Sequence, residues 1–500
     1  MAQTLSLALA PVAIPAEGAL VLYVGEERAP EGRAAAIWAE TGLDWAKVVA
    51  ASGFKGRQGQ VIDIVAPHGL AADRLLILGS GKPVQGQPDP TAWSDRGGSL
   101  MGKLMAARIA RAAVLLEGPE AGAPAIGEIA AGLRLRHYRF DRYRAAKPDA
   151  GPDAMTVTLM VPEGADLAAL QAAIDDRMAV AEGTILARDL VNEPANVLGP
   201  VEFAEKAAAL GDLGLQIEVL DDARMQALGM NALLAVAQGS RRPARMVIMQ
   251  WKGGDPGDAP LAFVGKGVTF DSGGLSIKPA ANMENMKGDM GGAAAVTGLM
   301  QALATRKARV NAVGVIGLVE NMADGNAFRP GDIIRAMSGT TIEVISTDAE
   351  GRMVLADALW HTQQAFRPRL VIDLATLTGA VLVALGQEYA GLFSNDNTLS
   401  AQLAAAGLAS GEKVWRLPMG ASYDKMIESR FADIKNTGGR NAASITAAQF
   451  LARFVKDVPW AHLDIAGMAF AGSNSETNTS WGPGFGVALL DRFIRDNYEG

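Results

Sequence analysis

The chain has 500 residues, of which 49% are hydrophobic and 20% charged, a composition typical of folded globular proteins that excludes global disorder. Its 46 basic and 54 acidic residues give a formal net charge of −8, which argues against nucleic acid as an obligatory partner because duplex binding depends on basic surface. The chain has no cysteine and four histidines without metal-ligand spacing, so disulfides and Cys-ligated zinc are excluded and a metal site would depend on Asp and Glu.

The first third of the chain is predicted to form a small α/β domain. Three short apolar runs in it are typical of strands: 19–24, 61–65 and 74–79. Helical periodicity extends over 99–116, a further strand is predicted at 155–161, and an Ala-rich helix is predicted at about 165–190. Because this long helix connects two strand-bearing regions, we expect an N-terminal domain over 1–170, with a role in assembly or regulation, and a larger domain over 171–500.

The second part of the chain alternates strand and helix patterns more regularly. Near-continuous apolar runs in it predict buried strands: 261–265, 310–319 and 370–374. Helices are predicted between these strands at 291–305 and 352–364. We therefore expect a two-domain α/β fold, with a mixed, mostly parallel central sheet in the larger domain and ligands at the carboxyl ends of its strands.

A cytoplasmic location without a membrane partner is expected, because no segment is typical of an export or membrane signal. The first ten residues lack a basic region, and Pro11 and Pro15 interrupt the apolar run that begins the chain. The most apolar later stretch, 370–385, contains Asp373 and is shorter than the roughly 20 residues that span a bilayer.

Three loops that join strands to helices carry the charged residues most informative about chemistry. They contain four carboxylates and three cationic side chains: Lys266, Asp271, Lys278, Asp289, Asp348, Glu350 and Arg352. A single Asp before a helix is most often an N-cap, and a Gly-rich loop is often only a turn. Four carboxylates at one sheet edge repel one another, however, so their combination favours a pair of divalent cations about 3.5–4 Å apart.

Residues 346–352, Ser-Thr-Asp-Ala-Glu-Gly-Arg, resemble the signature of the leucyl aminopeptidase (cytosol aminopeptidase) family, peptidase family M17. The resemblance covers about 185–490 and includes four further motifs: 188–196, 320–332, 373–380 and 460–467. The family signature usually begins with Asn, and Ser346 occupies that position here, which is not a metal ligand in the family. The resemblance implies a metal-dependent aminopeptidase with residues 171–500 as its catalytic domain.

The resemblance further implies that Asp271 and Glu350 bridge two metal ions, Mn²⁺ or Zn²⁺. Asp348 would complete the tighter metal site, and Lys266 and Asp289 would complete the exchangeable one. An ammonium group has no lone pair for a metal. This assignment therefore requires that the two dications lower the pKa of Lys266 until its amine is neutral.

The same resemblance implies how the N-terminal peptide bond of a substrate would be hydrolysed. A water that bridges both metals is acidified and attacks as hydroxide, while the free α-amine of the peptide binds the exchangeable metal and Asp289. Lys278 stays cationic and stabilises the oxyanion of the tetrahedral state. Arg352 holds a bicarbonate ion as the general base, because an Arg is too basic to accept the proton itself.

Substrate preference is expected to come from an apolar pocket for the first side chain of the peptide. The resemblance implies substrate-binding residues in addition to Lys278 and Asp289: Met286, Thr376, Leu377, Gly379 and Ala466. They imply a preference for Leu and other apolar residues, although Met286 and Ala466 are equally consistent with ordinary core positions. An apolar pocket separates substrates by only about 1–3 kcal/mol per methylene, so broad specificity is expected.

The expected partners are peptide substrates and further copies of the chain, since the resemblance implies a homohexamer of two trimers. Two other functions stay open. A two-metal phosphoesterase would also use a carboxylate cluster, around Mg²⁺ or Mn²⁺. A DNA-binding accessory protein would use the basic run 134–147, which contains aromatic residues but is also typical of a solvated, salt-bridged segment.

Overall fold

Two separate sheets, each with helices packed beside it, organise the chain into two units. The computed structural model describes residues 4–82, 91–145, 152–470, 472 and 474–499. One unit comprises Met1–Ala181 and Asn474–Ser480, and the other comprises Glu182–Ser473 and Trp481–Gly500. The domain boundary at residue 170 stays a prediction. Among the described residues, no helix has both the length and the apolar character needed to span a bilayer.

The first unit contains one sheet in the part of it that the structure describes. Its strands are β1 Thr4–Pro11, β2 Ala19–Gly25, β3 Val61–Val65, β4 Arg74–Gly81, β5 Arg111–Leu115 and β6 Ala154–Val161. Its helices are α1 Gly32–Glu40, α2 Trp45–Ser52, α3 Ala92–Ala106, α4 Ala123–His137 and α5 Leu167–Asn192, the last of which continues into the second unit. The strand order is β1-β6-β5-β2-β4-β3, and only β3 runs antiparallel to its neighbour.

The prediction of one helix over 99–116 is wrong, because α3 ends near its middle and β5 follows. Arg108 adopts a left-handed backbone conformation with φ of 55°, which is the usual ending of a helix although glycine more often provides it. The N–H of Ile109 then donates to the carbonyl of Leu104 and closes the helix end. The strands predicted at 61–65 and 155–161 are confirmed.

The second unit contains a large sheet and a small one. Its strands are β7 Gln216–Leu220, β8 Arg245–Lys252, β9 Leu261–Asp271, β10 Asn311–Asn321, β11 Ile333–Arg335, β12 Thr341–Glu343, β13 Leu370–Ala375, β14 Ala390–Ser394, β15 Val414–Arg416, β16 Ile434–Lys435 and β17 Trp460–Asp464. The large sheet has the order β15-β14-β17-β13-β9-β10-β8-β7, and the small one has the order β11-β12-β16. The central strands of the large sheet are parallel to one another: β17, β13, β9 and β10. Antiparallel pairs involve β7, β8 and β14, and β15 pairs parallel to β14. The prediction of a two-domain α/β fold with a mixed, mostly parallel sheet is therefore confirmed.

Helices cover the large sheet of the second unit. They are α6 Pro200–Ala208, α7 Asp222–Ala227, α8 Asn231–Ala237, α9 Gly291–Thr305, α10 Gly351–Phe366, α11 Gly379–Leu385, α12 Asn397–Ser410, α13 Ala421–Asp424, α14 Ala443–Ala452 and α15 Val487–Tyr498. The two helices predicted at 291–305 and 352–364 are confirmed as α9 and α10. Nearly every residue of β9, β10 and β13 is buried, as expected for central parallel strands covered on both faces.

Two glycines allow α9 to lie unusually close to the sheet. A Cβ added at Gly292 would lie 1.9 Å from the carbonyl oxygen of Leu374 in β13, and one added at Gly265 would lie 2.6 Å from the Cα of Ala293. Neither position therefore accommodates a side chain without backbone displacement. This close packing brings the residues just before α9 to the same edge of the sheet as the carboxyl ends of β9 and β13.

Candidate active site

Lys266 lies at the centre of the candidate site, on β9, and is almost fully buried. Its Nζ lies 2.7 Å from Oδ1 of Asp289 and 2.8 Å from Oε1 of Glu350, and it donates to the carbonyl of Thr376 at 2.8 Å. Burial disfavours the charged amine, but these carboxylates raise the pKa of Lys266 above its usual value. In this arrangement Lys266 is therefore a cation that joins β9 to the residues before α9, to α10 and to the end of β13.

A second lysine pairs with the remaining two carboxylates. Nζ of Lys278 lies 2.8 Å from Oδ2 of Asp271, and it also contacts Oδ1 of Asp348. Asp271 is the last residue of β9 and is buried, whereas Asp348 is partly exposed. Burial opposes the charge of Lys278, but the carboxylates of Asp271 and Glu350 raise its pKa, so this lysine also stays cationic.

The four predicted carboxylates thus converge on one region, and three of them could share a metal ion. One oxygen from each of Asp271, Asp348 and Glu350 lies within 4.8 Å of the others. Burial and the neighbouring Glu350 raise the pKa of Asp271 to about 6, and burial raises the pKa of Asp289 well above its usual value. Carboxylates whose ionisation stays disfavoured even beside two lysines are the groups that a divalent ion would stabilise.

Two buried carboxylate oxygens in this cluster have no hydrogen-bond donor among the described residues. They are Oδ2 of Asp289 and Oε2 of Glu350. Their partner oxygens, by contrast, accept from the Lys266 ammonium. A buried oxygen without a donor is costly, so these atoms are suited to coordinate a cation, and the donor set of carboxylates plus one amine fits a divalent metal.

One carboxylate oxygen of Asp271, Oδ1, is held by two donors that do not belong to the charged cluster. Oδ1 accepts from the N–H of Gly273 at 2.9 Å and from Nδ2 of Asn321 at 2.8 Å. Asn321 is the last residue of β10 and is fully buried, and its Nδ2 also donates to the carbonyl of Thr347. These bonds fix the carboxylate of Asp271 so that its other oxygen faces the site, which is how outer residues orient metal ligands.

Arg352 lies in the first turn of α10 and is nearly fully buried. One guanidinium nitrogen donates to the carbonyl of Asn436 at 2.7 Å, and Nε has no acceptor among the described residues. Burial lowers the pKa of Arg352 to about 10, and the carboxylates of Glu350 and Asp464 oppose that shift. Arg352 is therefore a cation at neutral pH with a donor available for an anion.

The loop that carries Asp348 and Glu350 keeps its turn although it begins with Ser346. The Ser346 Oγ accepts from the N–H of Asp348 at 3.3 Å. An Asn side chain forms the same hydrogen bond to the N–H two residues later in such turns, so the serine hydroxyl can replace it. Asn436, the residue after β16, supports the same loop, because its Nδ2 donates to the carbonyl of Ser346 at 2.7 Å and its Oδ1 accepts from the N–H of Ile345 at 2.8 Å.

The five residues predicted only for substrate binding differ in their contacts. Met286 is half-buried in a 3₁₀ helix, Met283–Gly288, and Thr376 donates from Oγ1 to Oδ1 of Asp289 at 2.7 Å. The N–H groups of Leu377 and Ala466 both donate to the carboxylate of Asp464. A Cβ added at Gly379 would have no neighbour within 4 Å, which is consistent with open space beside it. The role of these residues in specificity stays a prediction.

Three polar residues that support the site were not predicted from the sequence. Asn321, Asn436 and Asp464 are buried or nearly so and contact the charged residues or the loops that carry them. Asn321 and Asp464 lie within motifs that carry the family resemblance, which is the signal that could have identified them. Asn436 lies outside those motifs and had no comparable signal.

The basic run 134–147 forms contacts within the first unit. Arg136 donates to the carbonyls of Ser475 and Glu476 at 2.9 and 3.2 Å. Arg139 pairs with Asp153 at 2.7 Å. Lys147, which belongs to the predicted DNA-binding run, lies outside the described residues. These contacts are those of a salt-bridged segment, and DNA binding stays an untested alternative.

Both parts of the chain match models of one protein family. The model of the cytosol aminopeptidase family, catalytic domain, matches residues 185–491, and the model of its N-terminal domain matches residues 20–147. A probable cytosol aminopeptidase of Chelativorans sp. (strain BNC1) is 53% identical over 500 residues, which covers 100% of each chain. A probable cytosol aminopeptidase of Rhizobium meliloti (strain 1021) is 55% identical over 489 residues, which covers 97% of each.

Solved structures resemble the chain over nearly its whole length. The bottromycin maturation enzyme BotP in complex with Mn has a TM-score of 0.83 and 34% sequence identity, and the match covers 96% of this chain and 99% of that one. A mutant of tomato leucine aminopeptidase has a TM-score of 0.86 and 31% identity, with 99% of this chain and 97% of that one covered. Sequence and structure therefore lead to the same group of relatives.

Proposed function

This chain belongs to the cytosol aminopeptidase family and is a peptidase, and we propose that it uses divalent metal ions to remove the N-terminal residue of peptides, with a preference for Leu and other apolar residues. The observation that carries the proposal is the convergence of four carboxylates from the end of β9 and from the segments before α9 and α10. Two of these carboxylates, Asp289 and Glu350, have a buried oxygen without a donor among the described residues. The manganese complex of a similar enzyme supports the same choice of cofactor.

Two metal ions, Mn²⁺ or Zn²⁺, would be held by the residues of the cluster. Asp271 and Glu350 would contact both ions. Both are buried, Glu350 against Lys266 and Asp271 against Lys278, and an oxygen of each lies within 4.8 Å of the other. Asp348 would complete one ion's ligands, and Lys266 and Asp289 would complete the other's. When bound, the ions would acidify a water that they share, as the hydrolytic nucleophile, and polarise the carbonyl of the scissile peptide bond.

Both lysines would change their partners when the site is loaded. Lys266 would release its proton, because only the neutral amine has a lone pair to donate. Lys278 would stay protonated, and its partly exposed ammonium would turn from Asp271 and Asp348 to the oxyanion of the tetrahedral state. Asp289 would accept a hydrogen bond from the α-amine of the peptide, which explains why only an N-terminal residue is removed.

Arg352 is proposed to bind a bicarbonate ion that takes the proton from the attacking water. Nε of the buried guanidinium has no acceptor in the described part of the chain, and this supports the role, since a buried cation with a donor to spare stabilises a small anion. The guanidinium itself stays charged at neutral pH and orients the anion.

The proposal is tested by comparing two substrates before and after chelation. Leu-p-nitroanilide is expected to be hydrolysed by the Mn²⁺-loaded protein, with activity lost after dialysis against a chelator and restored by Mn²⁺. Parallel assays with p-nitrophenyl phosphate test the phosphoesterase alternative, which the same carboxylate cluster could support. Activity towards Leu-p-nitroanilide that survives complete removal of metal would refute the proposal, as would turnover of the phosphate ester alone.

We also propose that the chain acts in the cytoplasm as a homohexamer of two trimers, and that residues 1–170 serve assembly or regulation. The names of the relatives support the location. Native mass spectrometry of the full-length protein measures the assembly directly, and a stable monomer at micromolar concentration would contradict it.

A further inference from the structure

The segment that follows β13 determines where two of the proposed metal ligands lie. The carbonyl of Thr376 accepts from Nζ of Lys266 at 2.8 Å, and Oγ1 of Thr376 donates to Oδ1 of Asp289 at 2.7 Å. Thr376 therefore forms hydrogen bonds with both Lys266 and Oδ1 of Asp289. Oδ2 of Asp289 has no donor among the described residues. A shift of this backbone would change the orientation of both ligands at once.

One buried carboxylate holds that segment in place. Asp464 is the last residue of β17, pairs in register with Ala375 of β13, and is fully buried. Its Oδ2 accepts from Oγ1 of Thr378 at 2.6 Å, and its Oδ1 accepts from the N–H of Leu377 at 3.1 Å and from that of Ala466 at 3.2 Å. Three donors around one carboxylate fix the 376–378 backbone relative to β17.

We infer that Asp464 is a positioning residue for the exchangeable metal site, acting through the 376–378 segment on Lys266 and Asp289. The inference rests on the proposed function, because it concerns ligands of a proposed metal. Among the described residues, Asp464 forms no hydrogen bond with Lys266 or Asp289. Outer-shell partners of this kind typically change metal affinity by about 10–100-fold when they are replaced.

The experiment compares two buried Asp-to-Asn substitutions in the full-length protein. In Asp464→Asn, a neutral amide replaces the carboxylate. The oxygen that accepts from Thr378 becomes an NH₂ group, so the Thr378 hydroxyl must turn to accept, and the charge-assisted bonds that hold the segment are lost. The matched control is Asp357→Asn, because Asp357 is also fully buried and accepts from two backbone N–H groups, those of Leu233 at 3.0 Å and Met337 at 2.8 Å. Neither of these donors lies in the 376–378 segment, which contacts Lys266 and Asp289.

Equilibrium dialysis with Mn²⁺, followed by elemental analysis, is expected to give two bound ions per chain for the wild type and for Asp357→Asn. In Asp464→Asn, the first ion is expected to bind as in the wild type and the second to bind about 10–100-fold more weakly. Excess Mn²⁺ is then expected to restore activity. Thr378→Val should reproduce this selective loss, and Thr378→Ser, which keeps the hydroxyl, should rescue it.

Each alternative outcome has a distinct meaning. Fewer than two Mn²⁺ ions in the wild type would refute the proposed two-metal function. If the wild type binds two ions and Asp464→Asn and Thr378→Val bind both with unchanged affinity, the positioning role of Asp464 is refuted. The proposed two-metal function would stand in that case. A selective loss of the second ion in Asp357→Asn would also overturn it, because any buried carboxylate would then have the same effect. If Asp464→Asn does not fold, the nearly isosteric Thr378→Val decides the question.

Discussion

Replacing Lys266 with Met should destabilise the metal-free protein strongly and the metal-loaded protein only weakly. The ammonium of Lys266 is the only cation within hydrogen-bonding distance of Asp289 and Glu350 among the described residues, and all three side chains are buried. Removing one partner of a buried ion pair leaves an uncompensated charge and typically costs about 3–5 kcal/mol. The side chain of Met has a similar length, so little of this loss should come from packing.

Divalent metal in excess should reverse most of that loss, because the dications would compensate the same carboxylates without the ammonium, although one ion would lack its Lys266 ligand. The measurement is thermal unfolding of both proteins with a chelator and with excess Mn²⁺. A loss of about 1 kcal/mol corresponds to a shift of roughly 2–4 °C in the unfolding midpoint of a domain of 150–250 residues, so the chelated variant should unfold several degrees lower.

A buried ion pair that contains none of the proposed site residues provides the control. Arg306 pairs with Asp491 at 2.7 Å and Glu499 at 2.8 Å, and its side chain is almost fully buried. Arg306→Met should therefore lower the midpoint equally with and without Mn²⁺. If Lys266→Met behaved in the same way, or lost no stability in chelator, the account of Lys266 as a charge that a metal replaces would be refuted.

Three further predictions concern residues around the site and the cap of one helix. Asn321→Ala should weaken Mn²⁺ binding by about 10–100-fold, because Oδ1 of Asp271 keeps a single donor; unchanged affinity in a Mn²⁺ titration would contradict this. Arg352→Ala should abolish the dependence of the hydrolysis rate on added bicarbonate, and equal dependence in both proteins would count against an anion held by this residue. Burial raises the pKa of Glu412, which accepts from two N–H groups at the start of α15, from 4.5 to about 7. The folded protein therefore holds this proton more tightly than the unfolded chain, and about 3 kcal/mol of stability that is present below pH 4.5 is lost as the pH rises through about 7. Glu412→Gln should remove this loss, so its unfolding midpoint relative to the wild type should rise between pH 5 and 8; parallel curves would disprove the assignment.

The amino-acid pattern was sufficient to predict the elements whose signals are local. Apolar runs identified the central strands β9, β10 and β13, since a strand buried on both faces must be apolar at nearly every position. The charged residues that follow these strands were predicted to meet, because the carboxyl ends of parallel strands lie at one edge of a sheet. The motif at 346–352 then identified the family without any knowledge of distances.

The partners of each charged group follow from the folded arrangement of the chain and not from local patterns. Lys266 and Thr376 are 110 residues apart, and Leu377 and Asp464 are 87 apart, so no local pattern indicates these contacts. The end of α3 was also beyond the local signal, because Arg108 adopts the left-handed conformation that a sequence pattern assigns to glycine. The physical reason is the same in each case: hydrogen bonds and burial depend on what the folded chain brings near a residue, whereas periodicity reports only the residue's own segment.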